Sequence, residues 1–143
     1  MPQATYDDVN PILRLYEMRR EEKLREARAW FSASFKFKSL AELDKGCPPG
    51  RESDAFARQV TSYWEMVCSF IVAGVLDQEL FFQSGRELLF VWTRVELLLP
   101  EIRAAYQDPS YCRNMETVGT AYAESMKKQD PASYEAFVAR VRG

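Results

Sequence analysis

Residues 54–76 read DAFARQVTSYWEMVCSFIVAGVL. Phe56, Val60, Tyr63, Trp64, Val67, Phe70, Ile71 and Val75 recur there at three- and four-residue steps, which is the helical period. Asp54 or Ser53 supplies an N-cap. From Tyr63 onward the segment is apolar on most sides, and this predicts a central helix with neighbours around it. Gly74 inside such a helix costs about 1 kcal/mol against alanine unless it permits a close approach. The most apolar part, 67–76, is interrupted by Ser69 and Gly74 and is about half the length of a membrane span.

The flanking sequence is punctuated in the same way. Before the central segment, GCPPG at 46–50 is the clearest break, because two prolines and two glycines do not continue a helix. Ser39 with Glu42 reads as a capping box for a short helix over 40–45. Leu24, Ala27, Phe31 and Phe35 form one apolar stripe, with Glu21 and Arg25 paired at i, i+4 on the other side. Asn10-Pro11 predicts the start of a first helix ending near Arg19. After the central segment, Asp77 caps a short element over 78–83. Ser84 opens a long helix over 85–107 whose core side is Val91, Trp92, Val95, Leu98, Leu99 and Ile102. Pro100 lies inside it and predicts a kink or break near 96–99. Asp108-Pro109 and Asp130-Pro131 predict helices over 109–128 and 131–141. No segment alternates with period two, and Asn-Gly and Asp-Gly turns are absent. The expectation is an all-α, compact bundle of five to seven helices forming a single domain over 1–143, with 54–76 and 85–107 antiparallel at its centre.

The chain has 143 residues, with 19 basic and 21 acidic side chains and a net charge of −2. This balance argues against nucleic acid as a partner, since phosphate binding needs concentrated positive charge. There is no histidine, which removes the commonest general base and metal ligand together with every Ser-His or Cys-His mechanism. Cys47, Cys68 and Cys112 are odd in number and widely spaced, unlike a disulfide framework or a zinc site. The polar N-terminus does not resemble a signal peptide. The expected setting is cytoplasmic, reducing and away from the membrane. No cofactor, metal site or catalytic residue is expected.

Two charged residues stand out as a candidate polar site. Arg28 occupies the apolar stripe of its helix, four residues after Leu24 and three before Phe31. Glu65 sits between Trp64 and Met66 in the central helix. An arginine or a carboxylate among apolar neighbours needs a partner, and each suits the other; alternatively, one or both line a small pocket. Trp30, Trp64 and Trp92 come from three helices and read as core, or as the lining of a ligand site. The run 18–28 mixes both signs and reads as a solvated helix face.

Three blocks carry a resemblance. Leu15-Tyr16-Glu17 with 24–31 (LREARAWF) is the first. Ser62-Tyr63-Trp64-Glu65 leading into 72–77 (VAGVLD) is the second. Trp92 followed by Pro100-Glu101-Ile102-Arg103 is the third. Together, over roughly 11–113, they resemble a family of bacterial proteins of about this length known as a domain of unknown function. The resemblance implies an all-helical fold and a bacterial cytoplasmic setting, and it brings no activity, cofactor or catalytic residue with it.

Two functional classes fit these readings. One is a non-enzymatic helical interaction module acting through a protein partner or self-association. The other is a small-ligand-binding regulatory domain with a pocket between the long helices. A deep pocket holding both Arg28 and Glu65 would favour the second.

Overall fold

The computed structural model describes residues 3–143. Helix α1 (Tyr6–Arg19) is opened by a capping box in which Thr5 caps the first turn and Asp8 accepts the Thr5 N–H at 2.8 Å. Pro11 therefore lies inside the helix rather than at its start. The box, five residues upstream, sets the start, and Pro11 removes a single rung of the ladder. A bend at Arg20 leads to α2 (Glu22–Ser34), where Glu21 accepts the Leu24 N–H at 3.0 Å. Helix α3 (Leu40–Gly46) is capped by Ser39, which accepts the Glu42 N–H.

After the proline-rich break, α4 (Glu52–Val72) runs through the molecule. Its N-cap position is Arg51, which gives no side-chain cap, so neither Ser53 nor Asp54 caps it, and it stops before Leu76. Gly74 has φ +78° and ends the helix. Gly74 N–H donates to Ile71 O and Val75 N–H to Phe70 O, which are the two bonds of a Schellman motif. Glycine there is a terminator and not an interior cost. Helix α5 (Gln78–Ser84) is capped by Asp77, whose own N–H donates to Asp8 of α1 at 2.8 Å.

The expected long helix over 85–107 is two helices, α6 (Arg86–Val95) and α7 (Leu99–Tyr106). The break falls at 96–98, and Pro100 sits in the first turn of α7, where its missing N–H would have had no partner in any case. Gly85, not Ser84, precedes α6. Helix α8 (Arg113–Gln129) begins four residues later than Asp108-Pro109 suggested, and α9 (Pro131–Arg142) begins at its Asp130-Pro131 signal.

All nine elements among the described residues are helices, so the class is all-α with more pieces than the five to seven expected. The central pairing also differs. Helix α4 packs chiefly on α2 and α8, while α6 packs on α8 and α9. Gly119 makes the α6–α8 approach possible, since a Cβ there would lie 2.4 Å from Trp92 Cγ. The buried apolar side chains form one cluster contributed by every helix except α3, whose Leu40 and Leu43 pack on its edge.

Candidate functional site

Arg28 and Glu65 do not meet. Arg28 on α2 reaches Glu87 on α6 through two parallel bonds, Nε to Oε2 at 2.8 Å and Nη2 to Oε1 at 2.6 Å. Its Nη1 donates to the Arg19 carbonyl at 2.9 Å, at the end of α1. One half-buried guanidinium thus joins three helices, and the Glu87 carboxylate raises its pKa. Glu65 is committed elsewhere. Its Oε1 accepts the Met115 N–H at 2.8 Å, and its Oε2 accepts from Asn114 N–H and Nδ2. The residue before α8, Cys112, has φ +57° and gives no side-chain cap. Glu65 therefore caps α8 from the neighbouring helix, satisfying two orphan N–H groups and placing a carboxylate at the positive end of the helix dipole.

The pattern hid a third charge. Arg94 on α6 is 4% exposed, the most buried charged residue described. Its Nε donates to Val141 O, and Nη1 donates to Phe31 O and Ser32 O, so it binds the last turns of α2 and α9. The guanidinium lies 4.1 Å from the Phe90 ring centroid. Burial lowers its pKa. The clue in the sequence is its place three residues after Val91 and four before Leu98, on an apolar stripe.

The polar groups line separate spaces. A cavity of about 270 Å³ lies between α2, α4, α6 and α9 and holds Arg28 and Glu87. A second one of about 590 Å³ runs along α4 to Tyr111 and holds Glu65. No Trp lines either. Trp64 and Trp92 are core, and Trp30 is half-buried against Phe35 and Phe56. Trp64 Nε1 is buried without a hydrogen-bond partner. The three cysteines are free and buried. Burial and the Glu65 charge push the Cys112 thiol up to about 12 and the Cys68 thiol further, so neither offers a thiolate near neutral pH. Among the described residues, no group of three His, Cys, Asp or Glu side chains is placed to hold a metal ion. No helix among them is long and apolar enough to cross a membrane.

A family model described as "Domain of unknown function (DUF4760)" matches residues 4–122. The chain belongs to the DUF4760 family. The match takes in α1 through most of α8, and so contains Arg28, Glu65, Glu87 and Arg94; α9 lies beyond it. The three blocks that suggested a domain of unknown function fall inside the DUF4760 match. No curated protein and no solved structure matches the chain.

Proposed function

We propose that this domain is a non-enzymatic helical interaction module that associates with a second copy of itself through α1. The observation that carries the reading is a row of exposed apolar side chains on that helix. Tyr6, Val9, Leu13 and Tyr16 are 76%, 39%, 55% and 52% exposed. They recur at i, i+3, i+7 and i+10, so they form one stripe, while Ile12, Leu15 and Arg19 turn toward the body of the protein. Scattered exposed apolar residues are ordinary, whereas a continuous row marks a contact surface.

The stripe is symmetric about its own middle. Laid antiparallel on a copy of itself, Tyr6 faces Tyr16 and Val9 faces Leu13, each pair occurring twice, as an isologous two-fold interface requires. The same register sets Asp8 across from Arg14 of the copy and opposes the helix dipoles. A parallel arrangement would put like charges together. Four side chains are a small surface beside the ~800 Å² per partner of a standard interface, so the association is weak.

Light scattering coupled to size exclusion is the test, with loading between about 1 μM and about 1 mM. The mass should rise with concentration from that of a monomer toward that of a dimer. Leu13→Asp should stay monomeric throughout, with an unchanged circular dichroism spectrum. A wild-type mass that stays monomeric over the whole range overturns self-association. The second reading, a small-ligand-binding domain, has one observation in its favour: the apolar cavity beside Arg28.

A further inference from the structure

We infer that the cavity between α2, α4, α6 and α9 binds a small apolar carboxylate, a monoanion of benzoate size. This rests on the ligand-binding reading and is independent of pairing through α1. The walls are apolar: Phe31, Val60, Phe90, Val91 and Phe137. The volume is about 270 Å³. An engineered apolar cavity of ~150 Å³ already accepts benzene, so this space takes a six-membered ring with a short polar group. It is too small for a nucleotide.

The charge around the cavity selects the sign of that polar group. Glu87 is its one acidic lining residue, and both its oxygens are taken by Arg28. Arg28 in turn spends three donors on Glu87 and Arg19, so the pair is neutral as a unit. Arg86 at the rim is exposed and makes no ion pair among the described residues. Two more cations without a carboxylate stand near the walls, Arg94 buried and Arg140 exposed. Arg94 lies against Phe90, and Arg140 is 5.7 Å from the Phe137 ring centroid, with Arg86 at 5.8 Å from the same ring. Ser32 is the remaining polar residue of the lining, and around the space cations outnumber carboxylates. Of these cations only Arg94 is buried, where charge acts on an anion more strongly than in water; Arg86 and Arg140 act from the solvent side. A ligand that buries a ring against the phenylalanines and turns a carboxylate toward Arg86 meets both requirements. An inorganic anion meets only the second.

Titration calorimetry on the full chain, with benzoate, its neutral isostere benzamide and inorganic phosphate, tests this. Amide chemical shifts identify the place. Benzoate should bind saturably, shift residues flanking Phe90 and Phe137, and bind at least tenfold more tightly than benzamide. Phosphate should show no saturable binding. Arg86→Gln should weaken benzoate about tenfold and leave benzamide unchanged, with the circular dichroism spectrum intact. Equal affinity for benzoate and benzamide at these residues would leave the cavity as a ligand site but overturn the carboxylate assignment. Absence of saturable binding by either ring compound, or shifts confined to other helices, overturns both the assignment and the ligand-binding reading.

Discussion

Arg94 carries its charge into the core and meets carbonyl oxygens there instead of a carboxylate. The carbonyls of Phe31, Ser32 and Val141 lie in the last turns of α2 and α9, where helix C-termini leave acceptors short of donors and the dipole favours a cation. Truncation strands the Ser32 and Val141 carbonyls, at roughly 1–3 kcal/mol per group, while Phe31 O keeps the Phe35 N–H. Arg94→Met should therefore cost about 3 kcal/mol or more by urea denaturation. Arg94→Lys should fall between, because a single ammonium does not span two helix ends as a planar guanidinium does. If Arg94→Met is as stable as wild type, the capping role is wrong. A second measurement separates the two residues once expected to pair. Arg28 and Glu65 share no partner, so Arg28→Ala and Glu65→Ala should be additive within about 0.5 kcal/mol. Arg28→Ala and Glu87→Ala should be clearly non-additive, since either removes the same bidentate pair. At this scale the sequence showed that Arg28 and Glu65 were constrained. It did not show their partners, because many acids and helix ends could satisfy either.

At the scale of elements, the helix signals that worked were local. Ser39, Asp77 and Asp130 cap the helices they precede, and Pro100 marks a break within two residues of its position. The failures came where a cap arrives from another helix. Asp108-Pro109 looks like a helix start, yet α8 begins at Arg113 because Glu65 of α4 satisfies its first N–H groups. Nothing near residue 113 in the sequence carries that information. The same holds for Gly119, an unremarkable helical glycine until Trp92 is laid across it. Alanine there gains about 1 kcal/mol of helix propensity. Its Cβ, however, would sit 2.4 Å from Trp92 Cγ, and pushing a buried indole away costs typically 1–3 kcal/mol. Gly119→Ala should therefore be destabilising on balance, with a lower Tm and an altered near-ultraviolet tryptophan signal. A raised Tm would show that α6 and α8 have room to separate.

For the molecule as a whole, apolar stripes predict that helices surround α4, but the neighbour they suggest, 85–107, is not its main partner; α2 and α8 are. A stripe states how much surface must be covered and does not name the helix that covers it; the α6–α7 break and the small residue in α8 decide that. The resulting core holds five weak acids in surroundings that disfavour their charged forms, Cys47 among them. Burial raises Cys112, Tyr63 and Tyr111 to about 12, from ordinary values of 9.0 for cysteine and 10.0 for tyrosine, and raises Cys68 further. Well below pH 9 all five are protonated in both folded and unfolded chains, so the preference leaves stability unaffected. As pH rises past 9 the unfolded chain releases protons that the folded chain keeps, and stability falls with pH until the folded groups also titrate near 12. By about pH 10.5 Cys68 and Cys112 should each have removed roughly 1–2 kcal/mol. Urea midpoints should accordingly hold steady up to about pH 8.5 and then decline, with the slope m unchanged. A Cys68→Ala, Cys112→Ala double variant should lose most of the early decline, between pH 9 and 10, keeping the share of Cys47 and the tyrosine part above it. A wild-type midpoint that stays level to about pH 10.5 would mean that water reaches these thiols, and that the α4–α8 contact around Cys68 and Cys112 is looser than the packing described.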